Sequence, residues 1–232
     1  PDLEATSGLS ADLRWGLLHP RTLLADLDDS AEHQAFARQL AWREFYADVL
    51  LHHPGSARAN LDARFDAMRV DSGTPSHARL RAWQDGRTGY PFVDAGMRQL
   101  RGEGWMHNRV RMVVASFLVK DLHLWWGDGA RWFMQWLRDG DLASNAHGWQ
   151  WTAGTGTDAS PYYRVFNPVG QGQRFDPEGD YVRRWVPELA HLSGPGVHEP
   201  WLAPDGYAHG YPERLVDHST ERAESLARLA EL

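Results

Sequence analysis

At 232 residues, 42% of them hydrophobic, the chain can bury a core as one large domain or two small ones. It has no cysteine, which excludes disulfides, thiolate metal sites and cysteine nucleophiles and fits a reducing cytosol. Its net charge of −7 excludes a generally basic nucleic-acid binder, so any such binding must use a local Arg-rich face on an acidic body.

Of the 24 basic residues only Lys120 is lysine, and arginine suits bidentate phosphate contacts. The 12 tryptophans dominate the composition; each buries a large area and carries an N–H that wants a partner. No run of about eighteen apolar residues occurs, so no transmembrane helix is expected. No basic segment followed by an apolar one opens the chain, so no signal peptide is expected. Residues 1–10 lack a start methionine and read as the interior of a longer chain.

Thr6-Ser7-Gly8-Leu9-Ser10 forms a polar turn before an apolar-periodic run, Leu13 to Leu27. Ser10 is placed to cap that helix, and Pro20 must break or restart it. Such a turn either caps a helix or binds phosphate. Asp29 to His53 reads as one helix, with Asp29 and Glu32 as a capping box and Pro54-Gly55 as its stop. Gln39, Trp42 and Tyr46 fall on one face of it, with Trp42 either in the core or in a site. Ala57 to Ser76 reads as loop, His77 to Gln84 as a short helix, and Pro91 to Arg101 as another with proline in its first turn. Trp105 to Trp126 has the longest apolar period, with Asn108 and Met112 on one face and Arg109 and Arg111 flanking it. Gly127-Asp128-Gly129 reads as a turn and Ala130 to Arg138 as a helix. Residues 139–180 have little period and much glycine; their aromatic residues argue against disorder. Glu178 to Leu189 is a helix interrupted at Pro187, His191 to Pro212 is loop, and Ser219 to Leu232 is a terminal amphipathic helix. No strand series or repeat is apparent, so the class is all-α.

The residues favour some chemistries over others. No HExxH pattern, carboxylate cluster, Gly-x-Ser-x-Gly elbow or phosphate-binding GxxxxGK[ST] loop is present, so no metal, hydrolase or P-loop site is expected. Asp139-Gly140-Asp141 followed by Asn145, Trp149 and Trp151 offers acceptors and an amide beside indoles. Trp42, Trp105, Trp126, Trp149 and Trp151 serve packing, base stacking or electron passage equally well on this ground. Physical chemistry alone stops at a helical protein with a polar, aromatic pocket for a flavin or a nucleotide.

Six segments, however, resemble the flavin-binding helical domain of the DNA photolyase/cryptochrome family, nearest its class I cyclobutane pyrimidine dimer photolyases. They are TSGLS at 6–10, LAWREFY at 40–46, AWQDGRTGYPFVDAGMRQL at 82–100, GWMHNRVRMVVASFLVKDL at 104–122, DGDLASNAHGWQW at 139–151 and FNPVGQGQRFDPEGDYVRRWVPEL at 166–189. YPERLVDH in the tail is also typical.

The resemblance implies an all-α domain over 1–232 that binds FAD and damaged DNA. It further implies a fragment without the N-terminal α/β antenna domain and the first part of the helical domain, so the antenna chromophore stays unidentified. The implied activity is a blue-light-driven deoxyribodipyrimidine photolyase, a monomer acting on UV-damaged DNA without a membrane. A cryptochrome-like signalling flavoprotein, a (6-4) photolyase and a cofactor-free helical nucleic-acid module are the alternatives.

By the same resemblance, Thr6, Ser7, Gly8, Leu9 and Ser10 hold FAD phosphates and Phe36 lines the flavin pocket. Asp139, Gly140 and Asp141 lie against the ring and ribose, Arg111 pairs with an Asp beside the ring, and Asn145 lies opposite flavin N5. Trp42 and Trp151 wall the lesion pocket; Gln39, Asn108 and Met112 touch the lesion. Arg43, Arg109, Arg164 and Gln171 contact DNA, and Trp149 and Trp126 pass electrons. Two departures stand out. Gln39 replaces the usual Glu, and the loop from Met68 to Gly73, where a distal Trp is expected, has none, so that either another aromatic such as Trp132 serves or photoreduction is slower.

Overall fold

The computed structural model describes residues 6–157 and 163–232, and they form helices and turns without strands. Their order is α1 (Ser10–Trp15), α2 (Pro20–Ala25), α3 (Ala31–His52), α4 (Thr74–Gln84), α5 (Pro91–Glu103), α6 (Asn108–Ser116), α7 (Trp126–Trp136), α8 (Leu142–Ala153), α9 (Pro168–Phe175), α10 (Asp180–Trp185) and α11 (His218–Ala230). None of these helices is long and apolar enough to cross a membrane. The all-α expectation holds.

The core centres on α5 and α6. Tyr90, Phe92, Val93, Met97 and Leu100 pack with Val110, Val113, Val114, Phe117 and Leu118, all essentially removed from water. Gly96 lets the two helices close, because a Cβ there would collide with Val110. Trp83 from α4 is fully buried and donates Nε1–H to the Val114 carbonyl at 3.0 Å. Helices α7 and α8 pack together, and α8 also packs on α3 and α6. It is this second layer that positions the site.

Several local expectations need correction. Leu9, not Ser10, precedes the first helical residue, and Ser10 lies inside α1. Pro20 does restart the chain, as the first residue of α2. Ser30 rather than Asp29 caps α3, its hydroxyl accepting from His33 N–H at 3.4 Å. Thr74-Pro75 already belong to α4, proline occupying the first turn where its missing N–H costs nothing.

The run 105–126 is not one helix. His107 Nδ1 accepts from Arg109 N–H and starts α6 at Asn108. The chain then widens into a π turn over Phe117–Asp121, and His123 takes a positive φ of 54° that stops it. Gly127 and Gly129 are helical residues of α7 rather than a turn. A Cβ at either would strike the Trp125 or the Trp149 ring, so close aromatic approach explains both glycines.

The described residues between 139 and 180 include two helices. Asp141 caps α8 by accepting from Ser144 N–H at 2.9 Å, and Gly154 closes it with a left-handed conformation. Asn167 caps α9 by accepting from the N–H groups of Val169 and Gly170. The interruption at Pro187 divides α10 from a short 3-10 turn, and α11 starts at His218.

Candidate active site

A cavity of about 450 Å³ lies between α3, α6, α7 and α8, within the range typical of small-ligand sites. Helix α3 contributes Gln39, Trp42, Arg43 and Tyr46, which share a face because they are spaced by three or four residues. Helix α6 contributes Asn108, Arg111, Met112 and Ala115 by the same spacing. Asp139, Gly140 and Asp141 enter from the loop after α7. Ser144, Asn145, Gly148, Trp149, Trp151 and Thr152 follow along α8, and Phe133 and Leu137 complete the wall.

The cavity has a wet end and a dry end. At the wet end Trp42 is 48% exposed, and Gln39 and Asn108 are exposed as well. Trp42 leans on Phe45 and Tyr46 with ring centroids 5.5 and 5.6 Å apart, and Tyr46 stacks on His147 at 5.4 Å. These contacts hold an indole at the surface in a fixed orientation. Asn108 Nδ2 lies 4.0 Å from Met112 Sδ.

At the dry end the Asp139 side chain is 4% exposed and its Oδ2 accepts from Arg111 Nη2 at 2.8 Å. Arg111 is itself braced, its Nε–H donating to the Met106 carbonyl at 2.7 Å. The second carboxylate oxygen, Asp139 Oδ1, is buried without a partner, and so is Trp149 Nε1. A buried polar atom costs about 1–3 kcal/mol when unpaired, so these atoms suit a polar planar ligand that completes them. Asn145 is held by a bond from Nδ2 to the Ala130 carbonyl at 2.9 Å. Trp149 packs edge-on against Phe133 and Trp83, at 4.9 and 6.0 Å between centroids.

The other expected site residues lie apart from this cavity. Thr6 and Gly8 line a neighbouring cleft with Glu103, Trp105 and Arg138, while Ser7, Leu9 and Ser10 line neither cavity. The two spaces are linked through α1, since Arg14 Nε–H donates to the Gly140 carbonyl and Trp15 Nε1–H to the Arg138 carbonyl. Phe36 is half-buried on α3 and lines neither.

Arg43 pairs with Glu44 at 2.7 Å beside the mouth. Arg164 places its guanidinium 5.8 Å from the Trp151 ring. Arg109 lies 4.7 Å over Phe175; burial and the nearby Arg174 push its guanidinium down. Gln171 Oε1 is buried without a partner on α9. Trp126 is buried at the head of α7, its Nε1–H bonded to Asn60 Oδ1 at 2.8 Å. Trp132 pairs with Trp136 at 5.5 Å, six residues further along α7, rather than with Trp126.

Ala115, Phe133, Leu137, Ser144, Gly148 and Thr152 also line the cavity, and their types and spacing do not mark them in the sequence. The residues 141, 144, 145, 148, 151 and 152 follow helical spacing, a signal that emerges once 142–153 is taken as a helix.

Comparison with known proteins agrees with this geometry. The family described as the FAD binding domain of DNA photolyase matches residues 36–231. The deoxyribodipyrimidine photo-lyase of Escherichia coli is 48% identical over 237 residues, covering 98% of this chain and 50% of that protein. The crystal structure of a bacterial class III photolyase from Agrobacterium tumefaciens superposes with a TM-score of 0.89 at 44% identity, over 98% of this chain and 49% of that one. A Synechocystis cryptochrome superposes with a TM-score of 0.86 at 32% identity, over 96% of this chain and 48% of that one. The chain thus spans about half the length of the relatives it matches.

Proposed function

We infer, for a chain that belongs to the DNA photolyase family, that it forms the FAD- and lesion-binding part of a light-driven deoxyribodipyrimidine photolyase. The observation that carries this reading is the polarity of one cavity. Its dry end offers an unpaired buried carboxylate oxygen, and its wet end offers two indoles, two amides and a thioether.

These residues fit a flavin. Asp139 Oδ1 can accept an N–H from the ring while Arg111 keeps Oδ2 occupied and the carboxylate in place. Asn145, anchored through Ala130, presents its amide beside the same ring. Thr6 and Gly8, with Arg138 in the same cleft, are suited to the phosphates, and Asp141 lines the cavity that would hold the ring. Reduced FAD, when bound and excited by light, supplies a one-electron donor; the chain supplies position and electrostatics.

The lesion is a cyclobutane pyrimidine dimer flipped from UV-damaged DNA, since a dimer inside the stack is out of reach and a damaged step costs less to unstack. Trp42 and Trp151 stack on it, at about 1–3 kcal/mol per base. Gln39 and Asn108 bond its carbonyl and imide edges, and Met112 fills against it. Arg43, Arg109, Arg164 and Gln171 hold the flanking backbone, so binding weakens as salt rises. Trp149 packs on α7 at Gly129, one turn from Trp126, which supports an electron route leading away from the cavity.

Illumination of the full-length, flavin-reduced protein with a dimer-containing oligonucleotide tests the reading. Loss of dimer is expected. Unchanged dimer would transfer the chain to the cryptochrome-like signalling alternative, which Gln39 leaves open and Asn145, Asn108 and Met112 speak against.

A further inference from the structure

The electron route proposed above needs an exit. A radical left on Trp126 is buried and bonded to Asn60, so it has no direct access to a reductant in water. The loop from Met68 to Gly73 brings no aromatic residue to it. Three other aromatic candidates occur near α7, and their surroundings differ.

Trp125 is the neighbour in space as well as in sequence. Its ring centroid lies 5.8 Å from that of Trp126, with the planes at 54°. Its six-membered ring lies on the α7 backbone, since a Cβ at Gly127 would stand 2.5 Å from it. The indole is only half-buried, and among the described residues nothing accepts from its Nε1. Arg131 lies 5.1 Å over the ring, but that cation is paired with Asp128, which offsets its effect on a positive ring.

Tyr163 lines the same small pocket as Trp126. Oxidising a phenol requires loss of its proton, and Tyr163 is poorly placed for that. Its oxygen accepts from Ser225 Oγ–H rather than donating to a base, the Lys120 ammonium stands 3.7 Å from its ring, and burial pushes its phenol up. Trp132 is ring-paired with Trp136, not with Trp126.

We propose that Trp125 is the terminal, solvent-facing electron donor of this chain, taking the place of the missing loop tryptophan. The inference rests on the relay through Trp149 and Trp126. In this step Trp125 gives one electron to the Trp126 radical cation, which returns to neutral indole. Trp125 is oxidised and releases its Nε1 proton to water, leaving a neutral radical. A thiolate in solution then supplies one electron, water returns the proton, and the thiol becomes a thiyl radical that leaves.

The test uses the full-length, FAD-loaded protein under flash excitation with a water-soluble thiol. The readouts are the lifetime of the tryptophan-radical absorbance and the rate of thiol-supported flavin reduction. Trp125→Phe is expected to lower both by roughly tenfold or more, a barrier change above about 1.4 kcal/mol. Trp132→Phe and Tyr163→Phe are expected to leave both at the wild-type value. Wild-type behaviour of Trp125→Phe beside a defective Trp126→Phe would overturn the assignment of Trp125 alone. Wild-type behaviour of Trp126→Phe and Trp149→Phe as well would overturn the relay itself. A second measurement needs no variant: in wild-type protein the long-lived radical should decay faster in proportion to thiol concentration, and a decay independent of thiol would contradict a solvent-facing donor.

Discussion

Two carboxylates, both buried, show how differently the two layers of this molecule are built. Asp94 on α5 is fully buried and saturated. Its Oδ1 accepts from Thr88 N–H and Thr88 Oγ1–H, both at 2.7 Å, and its Oδ2 accepts from Gly89 N–H at 3.1 Å and Tyr211 OH at 2.6 Å. Asp139 before α8 has one oxygen on Arg111 and the other on nothing. The first arrangement ties a loop and the tail to the core and leaves no capacity for a ligand. The second leaves an acceptor unspent inside a cavity. A saturated buried group marks folding, and an unsaturated one lining a cavity marks binding.

The largest effect expected from this contrast is on stability. Asp94→Ala strands the donors of Thr88, Gly89 and Tyr211, so urea unfolding should show a loss of about 3–5 kcal/mol, with flavin content per folded molecule unchanged. A loss under about 1 kcal/mol would show that the network is not what secures the core.

Asp121 sharpens the comparison as an intermediate case. Its Oδ1 bonds His218 Nδ1 and its Oδ2 is buried and unpaired, but it lines neither the main cavity nor the small pocket beside Trp126. Burial raises its carboxyl from 3.8 to about 6, against the opposing bond from His218. The folded state therefore binds more protons than the unfolded state between these values. The stabilisation is full below 3.8 and is lost as pH rises through about 6, a swing of about 3 kcal/mol at 1.36 kcal/mol per unit. Asp121→Asn lacks this swing, so the stability difference between the two proteins should change between pH 4 and pH 7; parallel profiles would refute the shift.

Two glycines separate packing from binding on a smaller scale. Gly129→Ala drives a Cβ into the Trp149 ring and Leu118, and should cost about 1–3 kcal/mol with a shift in Trp149 fluorescence. Gly148 faces open space in the cavity. Gly148→Ala should therefore stabilise the flavin-free protein by roughly 0.5–1 kcal/mol through helix propensity, while weakening flavin binding. A variant that is more stable and binds flavin equally well would place the ligand elsewhere.

The same division governs what the sequence makes legible. Helix α5 is plain because Pro91 opens it and its apolar residues recur with helical period against the core. Helix α8 is hidden because its periodic face is Asp141, Ser144, Asn145, Gly148 and Thr152, polar or small where a core helix would be apolar. A helix that lines a polar cavity loses the signal by which helices are recognised. The glycines at 127 and 129 mislead for a related reason, since glycine marks a turn in sequence but here makes room for indole rings. His107 and His123 end the segment around α6 through a local cap and a positive φ, neither of which disturbs the hydrophobic period.

Within the cavity, Asn108 and Met112 stand out by helical spacing and Asp139 to Trp151 by side-chain chemistry, while the role of each comes through the family resemblance. Gln39, Trp42 and Tyr46 likewise share a helical face that is readable directly. Phe36 and Thr6 to Ser10 stand outside the main cavity, and the cleft of Thr6 and Gly8 is tied to it through the α1 bonds of Trp15 to Arg138 and Arg14 to Gly140.

The central claim is that the open acceptor of Asp139 is completed by a flavin. The direct test is the flavin released on denaturation from full-length wild-type and Asp139→Ala proteins, purified side by side and matched for folded fraction. The account predicts stoichiometric flavin from the wild type and a loss of roughly tenfold or more from the variant, the equivalent of one charged hydrogen bond. Equal flavin in both, or none in the wild type, would contradict it.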